Sequence, residues 1–100
     1  MIKTFDESIL TLTLQEDLVA SNVREYKTQV EQYLLDEMGN VDEVILDLSA
    51  CENIDSVGVT FVVGVYKQVT NEAMGFRIVG SSDEIKQLFK LMKLDEFFDL

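Results

Sequence analysis

Two apolar runs joined by a short polar connection constrain the fold of this chain more than any other feature. Residues 44–48 have the length and composition of a buried strand, and a second apolar run begins at Val57. Ser56 stands at the junction, directly before the second run. A serine in such a position serves as a helix cap, a nucleophile or a phosphate acceptor, and these roles imply different proteins.

The surroundings of Ser56 argue against a nucleophile. A catalytic serine needs a neighbouring base, most often histidine, and this sequence contains no histidine. The first basic residue after the serine is Lys67, which would lie about 16 Å away on a helix. The flanking Asp55 and Val57 also differ from a G-x-S-x-G elbow. Serine hydrolysis is therefore disfavoured, while the cap and the phosphate acceptor both remain open.

Net charge narrows the classes of partner. The chain has 100 residues and a net charge of −11, with thirteen acidic and three basic side chains in residues 1–55, against six and five in residues 56–100. Such a surface repels nucleic-acid phosphates and anionic lipids, so we expect no nucleic-acid partner and no membrane association. It would attract a basic protein, although acidity that serves solubility alone is the simpler alternative.

The composition predicts a single cytoplasmic domain spanning residues 1–100, with no cofactor. The first residues contain no uninterrupted apolar region, and no apolar run reaches the length of a membrane span. Cys51 is the only cysteine and has no partner for a disulfide or a C-x-x-C pair, so we expect it to be a small buried residue. Three acids around the polar connection, Asp47, Glu52 and Asp55, are more typical of a solvated turn than of a metal site, and we expect no metal.

Alternating or continuous apolar residues predict four strands, at residues 2–5, 8–14, 44–48 and 76–80. The third is continuous enough to be buried on both faces of a sheet. Phe97 and Phe98 suggest a short additional edge strand.

Capping patterns predict two helices. Asn22 and Glu25 have the spacing of a capping box before a helix that ends near Gly39, and Ser81 and Glu84 have the same spacing before a last helix. One apolar stripe follows the first helix: Val23, Tyr26, Val30, Tyr33, Leu34 and Met38. Residues 57–69 remain ambiguous, because β-branched residues favour a strand and the apolar stripe favours a helix. The order of elements predicts an α/β fold, with a mixed, largely parallel sheet of about four to five strands covered by helices.

The segment around the serine closely resembles the STAS domain. The resemblance rests on Asp-Leu-Ser at residues 47–49, Ile-Asp-Ser-x-Gly-Val at residues 54–59, and supporting segments at 18–22, 64–67 and 85–98. Within that family the chain is most similar to bacterial anti-sigma factor antagonists. The resemblance implies a STAS-type fold in which residues 57–69 form a helix beginning at the phosphate acceptor.

The resemblance also implies a partner-switching function. In that family, the unphosphorylated antagonist binds an anti-sigma factor, often a GHKL-type serine kinase, and so frees the sigma factor to act in transcription. The kinase phosphorylates the serine that follows the aspartate, here Ser56, and phosphorylation ends the binding until a PPM-type serine phosphatase removes the phosphate. The protein would be a monomer or a weak dimer. The alternatives are a STAS scaffold in a transporter or sensory complex that is not phosphorylated, and a small enzyme or metal-dependent domain.

A set of residues around the two helix starts is predicted to bind the partner. Its members are Asp17, Ser21, Asn22, Asp55, Ser56, Val57, Gly58 and Val59. For several of them a structural role is the alternative: capping for Asp55, close helix packing for Gly58, and the core for the two valines. The sequence departs from the family at Val57, where a second Ser or Thr is common, and at residues 16–19, where Glu-Asp-Leu-Val replaces the usual Gly-Glu-Leu-Asp.

Overall fold

A four-stranded mixed sheet with the strand order β1-β2-β3-β4 forms the centre of the computed structural model, which describes residues 1–37 and 39–98. The strands are β1 (Ile2–Asp6), β2 (Ile9–Thr13), β3 (Glu43–Asp47) and β4 (Gly75–Val79). Strand β1 is antiparallel to β2, while β2, β3 and β4 are mutually parallel. The predicted α/β class and largely parallel sheet are confirmed.

Strands β1 and β2 form a hairpin with a two-residue connection. Glu7 and Ser8 both have positive φ, at 49° and 71°. This conformation gives a turn whose twist matches that of the flanking strands, which is why tight hairpins favour it.

In the part of the chain that the structure describes, three helices accompany the sheet: α1 (Ala20–Asp36), α2 (Ser56–Asn71) and α3 (Asp83–Leu91). The ambiguous segment 57–69 is therefore helical. Packing overrides its β-branched composition, because the predicted stripe lies against the core: Phe61, Val62, Val65 and Val69 are buried and Tyr66 is half-buried. Within residues 1–37 and 39–98, no helix combines the length and hydropathy that crossing a membrane requires.

The core lies on one face of the sheet. Leu10, Val44 and Phe76 are in register across β2, β3 and β4, as are Leu12, Leu46 and Ile78, and all are buried except the half-buried Phe76. The prediction that residues 44–48 are buried on both faces is wrong. Ile45, which points to the opposite face, is only half-buried, and a surface ion pair of 3.2 Å joins Glu43 to Arg77 on that face.

The C-terminal segment closes the core with an aromatic cluster, and the expected edge strand at residues 97–98 does not form. These residues lie in a turn, which buries the ring of Phe98 to 1% exposure while that of Phe97 stays 55% exposed. The Phe98 ring centroid is 5.2 Å from that of Phe89 and 5.7 Å from that of Tyr66. Met38, which was predicted to extend the stripe of α1, lies outside the described residues, as do residues 99 and 100.

The predicted cap of α3 is displaced by one residue. The N-cap is Ser82, whose hydroxyl accepts a hydrogen bond from the Ile85 amide at 3.2 Å. Ser81, predicted as the cap, is buried instead. Both serines fit the local pattern, and the path of the chain after Gly80, which has a φ of +73°, determines which one faces the helix amides.

Candidate functional site

Two loops meet at the carboxyl ends of β2 and β3, and each leads into a helix. Leu18 in the first loop and Ile54 in the second form a parallel β-bridge. The Leu18 amide donates to the Asn53 carbonyl at 3.0 Å, and the Asp55 amide donates to the Leu18 carbonyl at 3.1 Å. Because of this pairing, the N-termini of α1 and α2 lie side by side.

Asp55 caps both helices. One oxygen of its carboxylate accepts a hydrogen bond from the Gly58 amide at 2.9 Å, which makes Asp55 the N-cap of α2. The other oxygen accepts from the Ala20 amide, also at 2.9 Å, in the first turn of α1. These bonds, the one from Gly58 foremost, hold the pKa of Asp55 below its usual value of 3.8.

The cap supplied by Asp55 explains two departures from the sequence predictions. Helix α1 begins at Ala20, with Val19 as an N-cap that makes no side-chain hydrogen bond, so the predicted capping box at Asn22 and Glu25 is wrong. The carboxylate that serves α1 comes from a residue 35 positions further along the chain. The capping role considered for Ser56 is likewise filled by Asp55.

Asp17 ties the two loops together. Its carboxylate accepts hydrogen bonds from the amides of Glu52 and Asn53 at 2.9 and 3.1 Å, and from the side-chain amide of Asn53 at 3.0 Å. These bonds, led by that from the Asn53 side chain, lower the pKa of Asp17. Asn22 donates its side-chain amide to the Asp17 carbonyl at 3.0 Å. Asp17 and Asn22, both predicted to bind a partner, are therefore engaged in hydrogen bonds within the protein.

Gly58 allows α2 to approach the first loop. A Cβ atom at this position would lie 2.0 Å from the Leu18 carbonyl oxygen and 2.9 Å from a side-chain carbon of Ile54. Gly58 is buried, and the neighbouring Val59 is 4% exposed in the core. Both residues are therefore engaged in packing within the domain.

Three of the predicted residues are exposed: Ser21, Ser56 and Val57. Ser56 is the first residue of α2, and its carbonyl accepts a hydrogen bond from the Thr60 hydroxyl at 2.9 Å. Val57 is 43% exposed and is the apolar member of this exposed set. The loops beneath these side chains are fixed by Asp17 and Asp55.

Sequence reasoning missed a groove between α1 and α2 that begins at Val57. Its volume is about 370 Å³, and two charged residues of α1, Lys27 and Glu31, are among those that line it. The apolar stripes of both helices were predicted as core, and spacing alone does not reveal a gap between two such stripes. The one signal in the sequence was Gly64, whose position leaves open space where a side chain would stand.

The remaining reactive side chains near the site are held by internal contacts. The Cys51 thiol is buried and donates to the Asn53 carbonyl at 3.2 Å, and burial raises its pKa. Asp47 accepts a hydrogen bond from the Ser49 amide at 2.9 Å. Across residues 1–37 and 39–98, no three His, Cys, Asp or Glu side chains converge in a way that could hold a metal ion.

The structure is that of a small α/β domain in which strand β3 leads, through a turn capped by Asp55, to an apolar helix that begins at the exposed Ser56. The sequence model of the STAS domain matches residues 1–100, so the chain belongs to the STAS domain family. The resemblance seen in the sequence is confirmed. A search of curated proteins by sequence returned no match.

Solved structures with the same fold include anti-sigma factor antagonists and an anion transporter. A candidate anti-sigma factor antagonist of Thermotoga maritima is 22% identical, with a TM-score of 0.85 over 95% of this chain and 80% of that chain. The Bacillus cell-fate determinant SpoIIAA in its phosphorylated form is 16% identical, with a TM-score of 0.73 over 96% and 86%. The murine anion transporter Slc26a9 is 13% identical, with a TM-score of 0.80 over 93% of this chain but only 15% of that chain.

Proposed function

We propose that this STAS domain is an anti-sigma factor antagonist that binds its partner through the surface around Ser56 and loses the partner when that serine is phosphorylated. The observation that carries the proposal is that two adjacent residues, Asp55 and Ser56, have separate roles at the start of α2. Asp55 caps α2, which leaves the exposed hydroxyl of Ser56 unnecessary for the fold. The existence of a phosphorylated form of SpoIIAA, which has the same fold, supports a phosphate at such a domain.

A phosphate on Ser56 would change the surface without unfolding the helix. At the first position of α2 the added charge, about −2, faces the positive end of the helix dipole, which is favourable. Asp55 lies next to it, and its lowered pKa keeps the carboxylate ionised at neutral pH. The phosphate would therefore add a hydrated anion to a surface that is already acidic, and a bound partner would be excluded by bulk and charge.

The proposed partners follow from this surface. An anti-sigma factor that is also a GHKL-type serine kinase would bind the unphosphorylated form, and a PPM-type phosphatase would restore it. With a net charge of −11, the domain would attract a basic face on the kinase. The domain itself would act in the cytoplasm as a binding protein rather than an enzyme, without a cofactor.

The test is to measure the affinity of Ser56 variants for purified GHKL-type kinases from the same genome by calorimetry. Ser56→Ala should bind, and Ser56→Asp should bind at least about tenfold more weakly, a loss of about 1.4 kcal/mol. Thr28→Asp, an equal charge change at an exposed position two turns along α1, is the matched control and should bind like the wild type. Equal binding by Ser56→Asp and the wild type would refute the proposal.

A second candidate function is a constitutive scaffold within a larger transporter or sensory assembly. The similarity to the Slc26a9 fold favours it, although this chain spans only 15% of that protein. Incubation with the kinases and ATP, followed by a phosphopeptide map, separates the two functions. Phosphate on Ser56 supports the switch, whereas an unmodified Ser56 supports the scaffold.

A further inference from the structure

Strand β1 forms one edge of the sheet, and its outer side carries no neighbouring strand in the described part of the chain. Asp6 and Ile9 close the hairpin around its two-residue turn, so these two residues exchange backbone hydrogen bonds. Hydrogen-bonded and non-hydrogen-bonded pairs alternate along an antiparallel ladder. The N–H and C=O groups of Phe5 and Lys3 therefore point away from β2, toward solvent.

The usual devices that protect an edge strand are missing from β1. Such devices are a proline, a β-bulge or a lysine that projects over the open side. The pairing of β1 with β2 is continuous from Ile2 to Asp6, without a bulge, and the strand contains no proline. Its one lysine, Lys3, is drawn onto α1, where the ammonium lies 3.0 Å from Glu37 and 5.3 Å from the ring centroid of Tyr33. The edge is therefore open to a further strand.

The opposite edge of the sheet is less suited to a partner. Strand β4 contains Gly75 and the charged Arg77, and it exposes no large apolar side chain. Strand β1 exposes two, since Ile2 is 49% and Phe5 is 41% exposed. These two side chains lie on opposite faces of β1, so a strand paired along this edge would cover both.

We propose that β1 pairs antiparallel with the β1 strand of a second copy of this chain, about a two-fold axis at Thr4, which joins two four-stranded sheets. This register places Lys3 of each copy opposite Phe5 of the other, and these are the residues whose backbone groups point outward. Both pairs can therefore exchange hydrogen bonds. A register centred on Phe5 would lose the pairs at its ends, because Lys3 would face Glu7, which lies in the turn with a φ of 49°.

The charges on β1 permit this pairing, although the whole chain has a net charge of −11. In the proposed register Asp6 lies opposite Ile2, so the two Asp6 residues are about 14 Å apart, beyond the screening length at physiological salt. Lys3 faces an aromatic ring, and Glu7 lies past the end of the opposing strand. The repulsion that remains acts between the two acidic domains as wholes, so association should strengthen as the salt concentration rises.

The proposed dimer leaves the candidate switch accessible. The loops of the candidate site follow β2 and β3, and these strands run in opposite directions in the two copies. The two Ser56 residues therefore lie at opposite ends of the joined sheet. The contact is small compared with a standard interface, so we expect a weak dimer with a Kd on the order of 0.1–1 mM. The inference does not depend on the proposed function, and no kinase is needed to test it.

Sedimentation equilibrium of the full chain measures the association. The wild type should approach the dimer mass as its concentration rises to about 1 mM, and more so at about 0.5 M than at about 0.05 M NaCl. Thr4→Lys sets two like charges side by side at the two-fold axis and should remain monomeric. Thr28→Lys, the same change at an exposed position on α1, is the matched control and should associate like the wild type. A monomeric wild type at both salt concentrations, or equal association by Thr4→Lys, would overturn the proposal.

Disulfide cross-linking tests the register. The Cα atoms of a non-hydrogen-bonded antiparallel pair are about 4.5 Å apart, a distance that a disulfide spans. Thr4→Cys should therefore oxidise to a covalent dimer. Asp6→Cys, on the same face of the same strand, should do so at least about tenfold more slowly, because its two copies are about 14 Å apart. Equal rates for the two variants would contradict a two-fold axis at Thr4.

Amide hydrogen exchange locates the paired edge in the unmodified protein. As the concentration rises to about 1 mM, the amides of Lys3 and Phe5 should gain protection, because they become bonded to the second copy. The amide of Thr4, which is directed toward β2, should change little and is the internal control. Protection gained at the outer amides of β4 instead, or at no amide of β1, would overturn the inference.

Discussion

The carboxylate of Asp55 accepts a hydrogen bond from the backbone amide of Ala20, 35 positions earlier in the chain, at 2.9 Å. Because the same carboxylate also caps α2 through Gly58, one side chain fixes the starts of two helices that are distant in sequence. Ser56 follows directly, and its position relative to α1 therefore depends on its neighbour. The candidate switch and the fold are coupled through this contact.

Replacing Asp55 with alanine should lower the midpoint of thermal unfolding by several degrees, because the first turns of α1 and α2 both lose an acceptor. Asp55→Asn retains an oxygen that can accept one of the two bonds, so its midpoint should lie between those of the alanine variant and the wild type. Thermal melts followed by circular dichroism measure the unfolding midpoints of the three proteins and so rank their stability. An unchanged midpoint for Asp55→Ala would mean that water replaces the carboxylate at both helices without loss.

Stability should fall in mild acid through Asp17 and Asp55. Both have a pKa below 3.8 in the folded protein, so the unfolded chain binds protons more readily. Their contribution to the free energy of unfolding is present above the usual pKa. It is lost as the pH falls from about 5 through 3.8 to the lowered pKa values of the folded protein. Urea unfolding between pH 3 and pH 6 measures how steeply the free energy of unfolding depends on pH.

The control for the pH dependence is the double variant Asp17→Asn with Asp55→Asn. It should be less stable at pH 6 and should show a shallower loss of stability toward low pH, because neither position titrates. A slope equal to that of the wild type would assign the acid sensitivity to other carboxylates.

Two glycines of α2 should respond oppositely to alanine. Gly58→Ala forces a Cβ atom against the Leu18 carbonyl, and we expect a loss of about 1–3 kcal/mol in the free energy of unfolding. Gly64→Ala adds the same atom into open space and should gain about 0.5–1 kcal/mol from helix propensity. Urea titrations of both variants measure the sign of the change in the free energy of unfolding. Destabilisation by both substitutions would contradict the open space at Gly64.

Ser56→Asp should leave the free energy of unfolding within about 0.5 kcal/mol of the wild type. The residue is exposed, it does not cap α2, and an acidic side chain in the first turn is favourable for the helix dipole. Chemical denaturation of the variant used for binding is the measurement. A large loss of stability would show that weakened binding reflects unfolding rather than a charge at the interface.

Phe98→Ala should cost about 3–5 kcal/mol, since its ring is 1% exposed and packs within 5.2 Å of the Phe89 ring centroid. Phe97→Ala is the matched control. Its ring is 55% exposed and has Tyr66 as a neighbour at 5.7 Å, so a loss of about 1 kcal/mol is expected. The difference between the two variants in urea unfolding measures how far the last turn contributes to the core.

Local pattern was sufficient for most of the elements. The alternation of residues 9–13 and the apolar run from Val44 predicted their strands, and the stripe of α1 marked its buried face, because these signals depend on neighbours along the chain. Prediction from the local sequence pattern failed where one element is capped or covered by another. The start of α1, the cap of α3 and the exposed face of β3 each depend on a contact that spacing does not encode.

The sequence by itself determined the family, the acidic surface and the serine at the start of an apolar run, since these are properties of residue types in order. Only the tertiary structure decided that Asp55 rather than Ser56 is the cap, that Gly58 and Val59 are buried, and that a groove opens beside Val57. The physical reason is that hydrogen bonds and packing join residues that are distant along the chain. The Leu18–Ile54 bridge is one such contact, since it joins two loops that a helix and a strand separate in the sequence.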